Sequence, residues 1–225
     1  MVMRWSVVVP VKRLPEAKTR LYDRRRGRAE HAALALALAV DTVAAAAACP
    51  VVARVVVVTD DPDAAAAAGR LGAVVVADEP GAGLNPALEY GAARAQALAG
   101  GDAVAVLSCD LPALRQAELA AALRAAAGHP RAFVADAAGA GTTLLTALPG
   151  TRLDPRYGAG SRRAHLTSRA VELAGDWPSL RRDVDTAEDL AAAAVLGLGP
   201  ATRAWTDRCW PPGRSAPGYL APTGC

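Results

Sequence analysis

Four short runs of mostly branched apolar residues, at 5–11, 54–59, 74–77 and 104–108, alternate with long alanine-rich stretches. Apolar runs of four to seven residues bounded by Gly, Pro and Asp read as buried strands. The stretches between them, at 30–48, up to Gly69 and at 86–99, have helical composition. The order β-α-β-α-β-α-β restricts the chain to a mainly parallel, doubly wound α/β sheet, because parallel neighbours need helical crossovers. Ligands of such sheets bind outside the carboxyl ends of the strands. The residues that follow each strand are therefore the first place to look for chemistry.

The pattern changes after a helix expected at 116–127. Segments 131–136 and 141–147 read as two strands joined by an Ala-Gly turn, an additional hairpin on the sheet. Short helices are expected at 162–169 and from Thr186 to near Leu196. From Pro200 the composition turns to Pro, Gly and isolated Trp. The expected organisation is one domain over 1–199 and a loosely ordered Pro/Gly-rich tail over 200–225, with Trp205 and Trp210 packing back on the domain.

Composition narrows the function classes. The chain of 225 residues is 52% hydrophobic and 21% charged, enough for a substantial core. Aromatics are 4%, and the dominance of alanine predicts thin helices lying close to the sheet. A net charge of +3 is too small to argue for nucleic acid. The most apolar stretch, 31–50, is interrupted by Asp41 and gains little insertion energy from alanine, so no membrane span is expected. Cys49, Cys109, Cys209 and Cys225 are scattered without metal-type spacing, which reads as a cytoplasmic chain with reduced thiols.

The candidate site residues lie after the strands. Asp110 follows the fourth strand, and Pro112 prevents the ladder from continuing. A carboxylate there either sits at the mouth of a site, where it suits a hard cation such as Mg²⁺, or caps the helix starting near Arg115. After the first strand, Lys12, Arg13, Lys18 and Arg20 make a basic loop suited to a polyphosphate, without the glycines of a Walker loop. Gly83 and Asn85 close a Gly-rich turn, where Asn85 either pairs with a base edge or caps the next helix. Thr142 and Thr143 open the second hairpin strand. Gly158-Ala159-Gly160-Ser161 leads into a helix, either as an anion nest or as an ordinary cap by Ser161. Asp183 and Asp185, two apart in an extended segment, project to one side. They invite a cation, unless Asp185 caps a helix and Asp183 pairs with Arg182.

Taken together, these pieces resemble nucleotidyltransferases with a GT-A-like α/β fold. They are most similar to the 2-phospho-L-lactate / phosphoenolpyruvate guanylyltransferase family, which starts the side chain of the deazaflavin coenzyme F420. The matching pieces are Pro10-Val11-Lys12 with Ala17-Lys18-Thr19-Arg20-Leu21, Gly83-Leu84-Asn85, Asp110-Leu111-Pro112, Gly141-Thr142-Thr143-Leu144, Gly158-Ala159-Gly160-Ser161 with His165, and Asp183-Val184-Asp185-Thr186. They span most of residues 5–196 in the family's order; the segment after Gly199 is not part of the resemblance.

The resemblance implies transfer of GMP from GTP to the phosphate of phosphoenolpyruvate or 2-phospho-L-lactate, with release of pyrophosphate. It implies Mg²⁺ held by Asp110, Asp183 and Asp185, with Asp110, Lys18 and Arg20 in catalysis. Lys12, Lys18, Gly83 and Asn85 would hold the nucleotide, and Thr142, Thr143, Gly158 and Ser161 the acceptor. Two alternatives stay open at this point. One is another nucleotidyltransferase of the same fold, of the molybdenum-cofactor or sugar-phosphate type, although these usually open with a Gly-rich loop where this chain has Pro10-Val11-Lys12. The other is a non-catalytic nucleotide-binding regulator. Whether the chain forms a homodimer is equally open.

Overall fold

The computed structural model describes residues 3–14, 27–79, 81–99 and 101–209. Its frame is a seven-stranded sheet in the order β3-β2-β1-β4-β6-β5-β7. The strands are β1 (Trp5–Pro10), β2 (Val52–Val58), β3 (Val74–Val76), β4 (Ala103–Leu107), β5 (Arg131–Ala135), β6 (Thr142–Ala147) and β7 (Val171–Glu172). The pairs β1–β2, β2–β3, β1–β4 and β5–β7 are parallel, whereas β6 is antiparallel to both β4 and β5. Within the sheet, then, β6 runs against its six companions. The second strand of the expected hairpin has been inserted between β4 and β5.

The valine runs are explained by what covers them. Along β1, Val7 and Val9 face one hydrophobic layer and Val8 the other. Along β2, Val55 and Val57 divide from Val56 and Val58 in the same way. A parallel sheet covered on both faces has no polar side, so its strands read as continuous apolar runs. One face carries α1 (Gly27–Ala47), α2 (Pro62–Arg70) and α4 (Gln116–Ala126), and the other carries α3 (Leu84–Ala99). The alanines let these helices lie close. At Gly91 of α3 even a methyl group would come within 2.6 Å of Val58 and 2.7 Å of Val8.

The rest of the chain closes one end of this sandwich. It comprises α5 (Ser161–Thr167), α6 (Pro178–Arg181), α7 (Ala187–Leu196) and α8 (Pro200–Cys209). A third apolar cluster joins Leu34 and Leu38 of α1 to Val184, Leu190 and Trp205. The loose tail expected from Pro200 gives way to a helix over Pro200–Cys209. Asp41, midway along the apolar α1, accepts hydrogen bonds from Ala201 N (3.0 Å) and Thr202 N (2.7 Å) at the start of that helix. The same Asp41 that interrupts the apolar stretch in sequence is thus a long-range helix cap. Residues 210–225, with Trp210 and Cys225, lie outside the described residues. Helix α1 is long and apolar enough to cross a membrane by length and composition, but its apolar positions are spent on the sheet and on α8.

Candidate active site

The order of the strands reverses beside β1, since β2 and β3 extend to one side and β4 lies on the other. Such a switch point leaves a crevice at the carboxyl ends of the strands. A cavity of about 570 Å³ lies there. Pro10, Val11 and Lys12 line it from the end of β1, and Ser108, Cys109 and Asp110 from the end of β4. Leu84 and Leu88 of α3, Tyr157, Gly158 and Asp185 complete the wall.

Asp110 is placed by its backbone neighbours. Ser108 N donates to Thr143 O (2.9 Å) as the chain leaves the sheet. Leu111 N donates to the Thr42 hydroxyl of α1 (2.9 Å), and that hydroxyl lies 3.2 Å from Cys109 O. Asp110 O accepts from Val184 N at 3.1 Å, which brings the Asp183–Asp185 segment alongside. Val184 is fully buried, and its two acidic neighbours project away from it. No capping role falls to Asp110: the residue before α4 is Arg115, and it makes no side-chain cap bond. Nor does Asp185 cap α7. Thr186 and Asp189 do so in a reciprocal capping box, and Arg182 lies 3.4 Å from Asp189.

The structure places the three expected carboxylates differently. Asp110 and Asp185 share the cavity wall, but Asp183 is not part of it. Among the described residues no three side chains of Asp, Glu, His and Cys form a metal-holding group. Two oxygen donors still fit Mg²⁺, which commonly takes one or two carboxylates and completes its shell with water and substrate phosphates.

The other expected residues divide. Lys12 is exposed beside the cavity and Gly158 lines it. Lys18 and Arg20 lie outside the described residues. The entry to their loop is fixed, because Leu14 N donates to Asp61 Oδ2 (3.0 Å) while Asp61 Oδ1 caps α2. Gly83 adopts a left-handed φ of 101° just before α3 and does not line the cavity. Asn85 neither caps α3 nor turns its amide to the cavity. Its Nδ2 donates to Tyr157 O (3.0 Å) and its Oδ1 accepts from Tyr157 N (2.8 Å). In this structure Asn85 grips the Gly158 loop.

Thr142, Thr143 and Ser161 lie beneath that loop and are 6%, 0% and 2% exposed. Gly160, at φ 70°, is the residue before α5, so Ser161 is not its cap. The Ser161 hydroxyl donates to Thr142 Oγ1 (3.2 Å), and Ser161 N donates to Gly158 O (3.1 Å). The same Thr142 oxygen lies 2.9 Å from Nδ1 of His165, and the His165 Nε2 accepts from Arg156 N at 3.0 Å. A backbone N–H can only donate, so Nε2 is unprotonated and Nδ1 carries the proton. Burial first, then the nearby Arg131 charge, pushes the His165 pKa down to about 4. Sequence reasoning gave no role to Thr42 or Asp61 and quoted His165 only as part of a motif. The partners described here stand 67, 47 and 23 residues away, beyond the reach of local pattern.

Comparison with known proteins places the chain in a family. The family described as "Guanylyl transferase CofC like" matches residues 5–208, past Gly199 and through most of α8. The chain belongs to this family. A phosphoenolpyruvate guanylyltransferase of Salinispora arenicola is 59% identical over 200 residues, covering 88% of this chain and 91% of the relative. One from Geodermatophilus obscurus is 58% identical over 207 residues, covering 90% and 94%. Among solved structures, a nucleotide-diphospho-sugar transferase from Desulfovibrio desulfuricans superposes with a TM-score of 0.62 at 20% identity, covering 84% and 85%. The last likeness is one of fold, and the fold is that of nucleotidyltransferases. The chain is a nucleotidyltransferase of the guanylyltransferase family.

Proposed function

We propose that the chain transfers GMP from GTP to the phosphate of phosphoenolpyruvate, releasing pyrophosphate, as the first step toward the side chain of coenzyme F420. The observation that carries this reading is the cavity at the β1/β4 switch point, with Lys12 on one side, Asp110 and Asp185 at its mouth and the Gly158 loop opposite. The names of the relatives favour phosphoenolpyruvate over 2-phospho-L-lactate as acceptor. In this reading Lys12, Lys18 and Arg20 hold the triphosphate. The Gly83 turn flanks the nucleoside, and Gly158 forms the acceptor end, backed by the buried Ser161, Thr142 and Thr143.

An oxygen of the acceptor phosphate attacks the α-phosphorus of GTP. A new P–O bond forms, the bond between the α-phosphorus and the bridging oxygen breaks, and its electron pair leaves on pyrophosphate. The attacking oxygen is already charged at neutral pH, so no strong general base is needed. His165 fits that economy, since both ring nitrogens are engaged within the protein. Lys12 and its basic loop hold two polyanions in one crevice, where positioning supplies much of the rate. Asp110 and Asp185 would hold Mg²⁺, which when bound supplies neutralisation of charge on the phosphates.

The test is a product assay with GTP, Mg²⁺ and either phosphoenolpyruvate, 2-phospho-L-lactate or 3-phosphoglycerate, read by mass spectrometry. The expected result is a guanosine diphosphate-linked enolpyruvate and one pyrophosphate per turnover. Pyrophosphate release with none of the three acids, or with ATP in preference to GTP, would overturn the reading.

A further inference from the structure

Tyr157 and Gly158 line the cavity, yet the segment from Arg156 to Gly158 belongs to no strand or helix. Two side chains from separate elements grip it instead. Asn85, in the first turn of α3, meets both backbone groups of Tyr157, at 3.0 and 2.8 Å, as a neighbouring strand would. His165, on α5, accepts the preceding amide, Arg156 N, at 3.0 Å. The ring is itself fixed: it is 0% exposed, Nδ1 meets the Thr142 hydroxyl at 2.9 Å, and the rings of Phe133 and Tyr157 lie 5.6 and 5.3 Å away. Gly158, at φ 137°, follows at once and turns the chain into the cavity wall.

We propose that Asn85 and His165 are positioning residues that together hold the Tyr157–Gly158 backbone as a preformed wall of the acceptor site. A loop without ladder partners would otherwise sample many conformations and have to be ordered on each binding event, at a cost in entropy. Asn85 carries the larger share, since it satisfies both the donor and the acceptor of one residue and joins them to α3. Leu84 and Leu88 of that helix line the same cavity, so the clamp ties two of its walls together. The proposal rests on the Gly158 loop receiving the acceptor. A base-reading Asn85 would give a different outcome.

The experiment compares wild type with Asn85→Ala, a half-buried change at a helix start, by amide exchange and by steady-state kinetics with GTP and phosphoenolpyruvate. The Tyr157 amide should exchange at least tenfold faster in the variant, with the β4 amides unaltered. The KM for phosphoenolpyruvate should rise about tenfold or more, with the KM for GTP within twofold of wild type. His165→Gln should release the Arg156 amide in the same way and raise the same KM. Unaltered Tyr157 exchange overturns the clamp, and so does a KM for GTP that rises as much as that for the acceptor. A wild-type enzyme that uses none of the acids overturns the proposed function instead, and the exchange at Tyr157 then decides the clamp alone.

Discussion

Asp110 and Ser161 carry the sharpest tests at the scale of single residues. Asp110 is held by backbone bonds on both sides, so its carboxylate can be altered without releasing the turn that carries it. Asp110→Asn should lower kcat at least as much as the loss of one oxyanion donor, about 10²–10³-fold, and leave the melting midpoint unaltered. A near-normal rate at saturating Mg²⁺ would remove Asp110 from the catalytic set. For Ser161 the structure sharpens the question, because Gly160 occupies the cap position. Its buried hydroxyl donates its one proton to Thr142, so Ser161→Ala should cost the fold about one hydrogen bond, about 0.5–1.5 kcal/mol. The melting midpoint should fall, with the KM for the acceptor and for GTP little altered. If the KM for the acceptor rises tenfold or more (about 1.4 kcal/mol), the hydroxyl serves the acceptor and not Thr142 alone.

Among the elements, α8 is the one whose stability depends most visibly on a single distant group. The Asp41 carboxylate accepts its Ala201 and Thr202 amides from inside the fold and is 4% exposed. A negative charge at a helix N-terminus also complements the helix dipole. Asp41→Ala should therefore cost about 1–2 kcal/mol, the usual value of a lost cap, and should speed amide exchange at Thr202 before it affects β1 or β4. Unaltered exchange at Thr202 would show that the apolar contacts of Trp205 hold the helix without the cap. A side chain at Gly199 is excluded by the same carboxylate, since any Cβ there would fall on Asp41.

Taken as a whole, the molecule should respond to acid through His165. Its folded pKa of about 4 lies below the ordinary 6.5, chiefly because burial disfavours the charged ring and because Arg131 and Arg156 face it, with Asp154 opposing. Above pH 6.5 the ring is neutral in folded and unfolded chains alike, and the contribution is at its full value. As the pH falls from 6.5 toward 4, the unfolded chain takes up a proton that the folded chain refuses, so stability declines. The decline saturates below the folded pKa at about 3 kcal/mol, from about 1.4 kcal/mol per unit of difference. Imidazole NMR resonances followed from pH 8 to 4 should show His165 unprotonated until below pH 5. A midpoint near 6.5 would show that burial and the nearby arginines do not hold the ring neutral.

The doubly wound sheet was legible in the valine runs and alanine stretches alone, because burial on both faces writes a continuous apolar signature into each strand. The order of those elements likewise pointed to the ends of the strands, where Lys12 and Asp110 share a cavity with Gly158. Only the tertiary structure decided which polar residues turn outward. Asn85, Thr142 and Ser161 have the composition of ligand contacts, yet their hydrogen-bonding atoms meet Tyr157 and one another. Asp41 reads as a flaw in an apolar helix until α8 is seen to begin against it. Local sequence records periodicity and turn chemistry, whereas the partner of a buried polar group is chosen by chain segments up to 161 residues away. The physical reason is that such a group must be satisfied wherever the fold happens to place a donor or acceptor.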